Sequence, residues 1–491
     1  MTETQPQTND TYAIAAILIV GALTLLRLAV VAATPLNLGP DEAQYWSWAQ
    51  NPDWGYFSKP PLIAWLIAGA TALCGDGEAC VRAPSVLLYA LASVFVFLLA
   101  RDLYGRRAAF WSAILFATLP AVFLSSALIT TDVPLLAAWA AALWALNCAV
   151  QTNSLRRAAI LGSAVGIGLL AKYAMAYFVL CAGLAAIFDR DLRGFVLSAR
   201  GLLSGAIALL FIAPNLIWNA AHQFATFSHT AANANWGGEL FNPGKLGDFL
   251  FSQLGVFGPL LAAIFIYGLA AGWWRGGDET ARKDRFLLAF ALPILAIAVA
   301  QAFISRANAN WAAPAYVGAL VLTTAWCLRR SWPAIPIASF ALHTLLGLIL
   351  YALALSPALI EAAGQANSFK RLRGWDEIGY AVRTRAMTAP EPYTAILVND
   401  RLDMAELLYY ARPLPAPLAM WDADATPENQ YELMNPLTPE LARHVLLVTK
   451  FADPAPILAR FADAKPAGTI AAPIGGGRTR VFHLFDLRGF R

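Results

Sequence analysis

Apolar residues fall into eleven long runs, at 12–35, 83–100, 108–125, 133–150, 158–171, 174–188, 201–219, 248–272, 286–304, 311–328 and 333–355. Polar stretches that carry most of the charge separate them. A helix needs ~20 apolar residues to cross a bilayer, so the pattern predicts transmembrane spans. Runs 158–171 and 174–188 fall short of that length, and together they also read as one long helix. Merging them would reverse the sidedness of everything downstream. The cations decide, because Lys and Arg accumulate on the cytoplasmic side. With eleven spans and a cytoplasmic N-terminus, the inner loops hold fourteen: Arg101, Arg106, Arg107, Arg156, Arg157, Arg190, Arg193, Arg200, Arg275, Arg282, Lys283, Arg285, Arg329 and Arg330. The outer loops before the C-terminal region hold five: Lys59, Arg82, Lys172, Lys245 and Arg306. Merging the weak pair destroys this bias. The prediction is a polytopic α-helical membrane protein of about eleven spans, thirteen at most, with its C-terminal region outside.

Near residue 360 the pattern changes. Charged residues and Pro now alternate with β-like runs at Thr394–Asn399, Val445–Thr449 and Val481–Phe485 and with a helical stretch at 401–411. This predicts a membrane domain over 1–358, with a large first outer loop at 36–82, and a soluble α/β domain over 359–491 on the outer face. Gly475-Gly-Gly-Arg reads as a hairpin turn. Composition agrees with the membrane reading. The chain is 59% hydrophobic and 13% charged, where soluble domains carry roughly 25% charge. A net charge of +4 over 491 residues is too small to point to nucleic acid. The first eleven residues lack Lys and Arg, so no cleavable signal peptide is expected and run 12–35 is read as a true span. Five Cys show no CxxC or zinc spacing, but Cys74 and Cys80 flank Gly-Asp-Gly-Glu-Ala in an outer, oxidising loop, where a disulfide is expected.

The five outer cations stand against a topological pressure, which makes each a candidate for function; Lys245, in a polar loop, fits a solvated charge. The first outer loop carries Leu38-Gly-Pro-Asp-Glu-Ala-Gln-Tyr-Trp-Ser-Trp and then Asp53-Trp-Gly-Tyr-Phe-Ser-Lys-Pro-Pro-Leu. Asp41 and Glu42 among Tyr45, Trp46, Trp48, Trp54 and Tyr56 describe an aromatic-walled acidic site. An interfacial aromatic belt with an N-capping Asp explains the rings equally well, but not Lys59-Pro60-Pro61. Asp132, ahead of Val133-Pro134, reads both as a site acid and as a helix cap. Arg27, inside the first run, is expected to snorkel to the interface.

Pro40-Asp-Glu-Ala-Gln-Tyr-Trp with Lys59-Pro-Pro-Leu resembles the first-loop signature of bacterial glycosyltransferases of the GT-C superfamily, such as lipid A aminoarabinose and galacturonosyl transferases and protein O-mannosyltransferases. The likeness continues through Arg82-Ala-Pro-Ser, Leu128-Ile-Thr-Thr-Asp-Val-Pro-Leu, Leu170-Ala-Lys-Tyr, Pro214-Asn-Leu-Ile-Trp-Asn with His222, and Arg306-Ala-Asn-Ala-Asn-Trp-Ala-Ala-Pro. It covers residues 12–355. The resemblance implies a bacterial inner-membrane enzyme that moves a sugar from a polyprenyl-phosphate carrier to a lipid, glycan or protein acceptor at the periplasmic face. It assigns Asp41 as base, Glu42 as alternative base or sugar contact, and Lys59 to the carrier phosphate. Arg82, Lys172 and Arg306 follow as further phosphate candidates, and Asp132, Tyr45, Tyr173, His222 and Asn310 as substrate contacts. Some relatives bind a divalent cation, for which Asp41 and Asp132 would be the ligands. The chemistry fits the inventory: inversion at an anomeric carbon needs one carboxylate base, and a departing phosphate needs cations rather than a second acid. The competing class is a transporter or lipid-linked-sugar flippase, but the ionisable residues cluster at outer span ends rather than mid-membrane.

Overall fold

The computed structural model describes residues 11–237, 240–424 and 426–491. They form two compact units, one made of the described residues within 11–31, 59–63 and 82–351, the other of those within 32–58, 64–81 and 352–491.

Every apolar run is helical in the first unit. Among the described residues seven helices are long and apolar enough to cross a membrane: Thr11–Ala33, Glu78–Tyr104, Asp132–Gln151, Ala199–Ala221, Glu279–Ile304, Ala309–Arg329 and Ala334–Leu355. Two further pairs pass together but bend, by 54° at Arg106–Thr118 + Pro120–Ser126 and by 111° at Pro243–Phe257 + Pro259–Ala270, giving up to nine. The sequence count of eleven also included Leu155–Ala171 and Ala176–Phe188. These are helical, with 17 and 13 residues against the ~20 of a usual span. Asp132–Gln151 and Ala309–Arg329 are largely buried, whereas Thr11–Ala33 and Ala199–Ala221 present Ile17, Leu18, Leu209, Leu210 and Ile217 outward as a lipid-facing surface.

Local chemistry explains the irregularities. Gly162 and Gly166 form a small-xxx-small stripe on Leu155–Ala171, where an added Cβ would lie 2.5 Å from the Ser204 carbonyl oxygen and 2.5 Å from Phe211 Cβ. This lets Ala199–Ala221 approach closely and holds a short helix by packing rather than by length. Gly258, at φ +88°, makes the sharp bend before Pro259, and a Cβ there would strike the His343 ring at 2.0 Å. Pro120 breaks the helix at Leu119. Near this break the Ala117 carbonyl takes a hydrogen bond from Arg27, which also donates to the Tyr351 hydroxyl at 3.3 Å and lies 5.1 Å from the Phe123 ring. Arg27 is therefore buried inside the bundle. The snorkelling expectation fails because the break supplies an acceptor within the protein.

In the second unit, strands β1 (Ala395–Val398), β2 (Leu418–Met420), β3 (His444–Thr449), β4 (Phe461–Gly475) and β5 (Arg478–Phe490) build one sheet in the order β2-β1-β3-β5-β4. β1 pairs in parallel with β2 and β3, and β5 is antiparallel to β3 and β4. The three β-like runs of the sequence are β1, β3 and part of β5. β2 has only three residues, and β4 is an edge strand with Pro466, Pro473 and two register shifts, a form that sequence patterning disfavours. Gly475, Gly476 and Gly477 make the expected hairpin turn with φ of 89°, 61° and 69°. The first-loop segments belong to this unit: Asn37 accepts from the Trp375 amide at 2.9 Å and donates through its own amide to the Leu372 carbonyl at 2.9 Å. Cys74 and Cys80 are disulfide-bonded, with Cα atoms 6.0 Å apart.

Candidate active site

Pro40–Ala49 is a helix because Pro40 pre-sets its first turn and Gly39 and Glu42 complete a capping box. Glu42 accepts from the Gly39 amide at 2.8 Å and is 3% exposed, so helix capping holds its carboxylate. The cap is Gly39 rather than Asp41. Asp41 stands in the first turn with its side chain 68% exposed, 3.8 Å from Arg401. Arg401 opens the helix Arg401–Tyr410, capped by Asp400, and also donates to the Gln44 side chain. Tyr45 and Trp46 are buried, Tyr45 against Trp48 at 5.4 Å and Trp46 against Tyr409 at 4.8 Å. The Trp46 indole donates to Asp76 at 2.8 Å. The aromatic wall is thus the packing that fixes the acidic turn.

Arg401–Tyr410 also carries two buried acids, Asp403 and Glu406. Burial pushes the Asp403 carboxyl up to about 7, opposed by Lys450 at 3.1 Å. Burial also raises Glu406 well above the usual carboxylate range, opposed by Arg480 and reinforced by Glu42. Among the described residues neither Glu406 oxygen has a hydrogen-bond partner, which is the environment of a neutral acid.

In the first unit, Asp132 starts its helix, and Thr131 occupies the cap position. The Asp132 carboxylate accepts from Lys172 Nζ at 2.7 Å through one oxygen and from Asn310 Nδ2 at 2.6 Å through the other. Three motifs separated by up to 178 residues therefore meet at one point. Lys172 is placed there by the break between Leu155–Ala171 and the turn at Tyr173–Met175. Beside it in sequence, the Tyr173 hydroxyl donates to Asn215 at 2.7 Å and accepts from Asn219 at 3.1 Å, with its ring stacked on Phe227 at 4.7 Å. Arg82 is buried, Lys59 half-buried and Arg306 exposed. His222 ends Ala199–Ala221, its Nδ1 2.8 Å from the Trp218 carbonyl and its ring stacked on Trp218 at 4.0 Å, an arrangement that serves the helix end.

Asp132 does not fit a divalent cation, because both oxygens already face N–H donors and one of these is itself a cation. Among the described residues no group of three His, Cys, Asp or Glu is placed to hold a metal. Arg401, Asn215 and Asn219 escaped the sequence reading as site residues. The two Asn lie within a motif already singled out, while Arg401 sits in a domain with no motif.

A helical unit with acids and cations at its span ends, and a second unit built on a small α/β sheet, make this a multi-pass membrane protein with an α/β domain. Residues 58–218 match the family model described as dolichyl-phosphate-mannose-protein mannosyltransferase. The chain is 31% identical over 435 residues to the lipid A galacturonosyltransferase RgtD of Rhizobium johnstonii, covering 88% of this chain and 90% of that one. It is 24% identical to the lipopolysaccharide core galacturonosyltransferase RgtA of the same organism, over 65% and 68% of the two chains. Among solved structures, ArnT from Cupriavidus metallidurans bound to undecaprenyl phosphate shares the fold, with a TM-score of 0.66, 16% identity and coverage of 96% and 97%. The chain belongs to the GT-C superfamily of glycosyltransferases that use lipid-phosphate-linked sugars, and it is a multi-pass protein of the bacterial inner membrane.

Proposed function

We propose that the protein is an inverting transferase that moves a uronic acid from a polyprenyl phosphate to a lipid A-type glycolipid at the periplasmic face. Likeness over nearly the whole length to a lipid A galacturonosyltransferase supports the sugar and acceptor classes. Asp41 is the base. The observation that carries this assignment is its exposure: it is a solvent-facing carboxylate on a rigid, capped first turn, whereas Glu42 is buried as a cap and Asp132 is doubly occupied. The carboxylate takes the acceptor hydroxyl proton while that oxygen attacks the anomeric carbon from the face opposite the phosphate. The carbon–phosphate oxygen bond breaks, and its electron pair leaves with the polyprenyl phosphate. Lys59 is the main partner of the departing phosphate, with Arg82 and Arg306 as secondary cations. Lys172, Asn310 and Asp132 act together as a fixed polar cluster that orients substrate.

The proposed orientation has the N-terminus in the cytoplasm and residues 359–491 in the periplasm. Besides the cation bias, two clusters support it. Asp132, Lys172 and Asn310 meet at one point, and Tyr104, Asp284 and Arg329 meet at another, with Asp284 accepting from Tyr104 at 2.8 Å and from Arg329 at 3.1 and 2.5 Å. Eleven spans place each trio on one side, whereas merging 158–188 into one span would divide both.

The test is transfer by the purified full chain from a polyprenyl-phosphate uronic acid to lipid A. Wild type should add one uronic acid residue. Asp41→Asn should fold and lose ~10²–10⁴ in rate. Turnover of Asp41→Asn near that of wild type would remove Asp41 from the mechanism.

A further inference from the structure

We propose that a cavity at the proposed cytoplasmic end, lined by Trp273, Arg275, Asp278, Asp284, Arg329 and Arg330, binds the phosphodiester headgroup of an anionic phospholipid of the inner leaflet. Its volume is about 390 Å³, room for a headgroup rather than for a single ion.

The charges in the cavity are sorted by geometry. Asp284 is fully buried and consumed inside the wall: besides Tyr104 and Arg329, it accepts from the Trp326 indole at 2.7 Å. Asp278 is turned to its own helix, capping the Ala281 amide at 3.2 Å. Arg329 is neutralised and fixed by Asp284. Arg275 and Arg330 make no ion pair among the described residues. The Arg330 guanidinium lies 3.9 Å from the Trp273 ring centre, and that of Arg275 lies 5.4 Å from Trp274. Three arginines against two aspartates leave one net positive charge, the complement of a singly charged phosphodiester.

Depth points to a lipid. Trp273 packs on Trp326 and Trp332, each at 5.6 Å, and on Tyr267 at 5.3 Å. Such aromatic clusters mark the level of the headgroups. Tyr267 and Ile266 are exposed on an apolar helix, a surface suited to acyl chains. Basic pockets between spans on the cytoplasmic side recognise anionic headgroups in this way. The general excess of inner cations explains why arginines are on this side. It does not explain why two of them, without carboxylate partners, are held on Trp faces around one cavity.

The test is native mass spectrometry of the full chain in detergent, with phosphatidylglycerol and phosphatidylcholine of identical acyl chains. It reads binding alone, so it stands or falls separately from the proposed chemistry. Wild type should retain phosphatidylglycerol over phosphatidylcholine by roughly tenfold, about 1.4 kcal/mol, because the two arginines face an anionic headgroup. Arg275→Gln/Arg330→Gln keeps stems against the rings and should lose the preference. Arg106→Ala/Arg107→Ala, the same charge change elsewhere on that face, should keep it. Equal retention of the two lipids by wild type, equal loss in both double variants, or displacement of phosphatidylglycerol by millimolar inorganic phosphate would overturn the proposal.

Discussion

Asp41 and Glu42 are adjacent acids with opposite fates, and the difference lies in helix geometry. The third residue of the helix reaches back to cap Gly39, so Glu42 is buried, while Asp41 in the same turn projects outward. The sequence showed the pair and the lysine of Lys59-Pro-Pro, because their chemistry is carried by residue type. It did not show which acid would be consumed by the cap, nor that Arg401, 360 positions away, would stand 3.8 Å from Asp41. Arg27 was misread for a related reason: its acceptor lies near a break at Pro120 that carries no mark in the Arg27 segment itself. The proposed division of labour predicts separable defects. Asp41→Asn should bind the polyprenyl-phosphate sugar with unchanged affinity. Lys59→Ala loses charge-assisted contacts to the phosphate and should weaken donor binding by about tenfold or more, corresponding to ~1.5–3 kcal/mol. Titration of each variant with labelled donor checks this, and unaltered affinity in Lys59→Ala would move the phosphate site toward Arg82 or Arg306.

The elements were legible to different degrees. Long apolar helices announced themselves by length and hydropathy. Leu155–Ala171 was visible as an apolar run but fell short of a usual span length, because it depends on close packing at Gly162 and Gly166. In the sheet, the fully buried β1 and β3 were readable as continuous apolar runs, while the edge strand β4 was hidden by its prolines. The helix Arg401–Tyr410 gives a pH prediction. Burial on folding raises the Asp403 carboxyl from its ordinary 3.8 to about 7. Between those values the folded state holds a proton that the unfolded state has lost, so stability falls as pH rises from about 4 to about 7, and this contribution is flat above that. Burial of Glu406 acts with the same sign. Hydrogen exchange of residues 395–410 in the full chain, corrected for intrinsic rates, should show greater protection at pH 5 than at pH 7.5. Asp403→Asn should flatten much of that slope, and protection that rises with pH would contradict the assignment.

At the scale of the whole molecule, the eleven-run pattern predicted a helical membrane protein, and among the described residues the helices give up to nine bilayer-length crossings and two short helices; the orientation drawn from the cation bias stands as a proposal. The grouping of residues 32–58 and 64–81 with 352–491 was not legible, because contacts so distant in sequence leave no local period. A reporter active only outside the cytoplasm should be active when fused after residue 360 and silent when fused within 101–107 or 329–333. The reverse result would place the proposed base on the wrong side for a periplasmic acceptor. The most direct measurement follows one reaction to completion with purified full chain, polyprenyl-phosphate uronic acid and lipid A, reading product, free polyprenyl phosphate and anomeric configuration together. One polyprenyl phosphate released per sugar transferred, with inverted configuration, is the expected result. Movement of intact donor across a membrane without release of polyprenyl phosphate, or transfer with retained configuration, would contradict the proposed function.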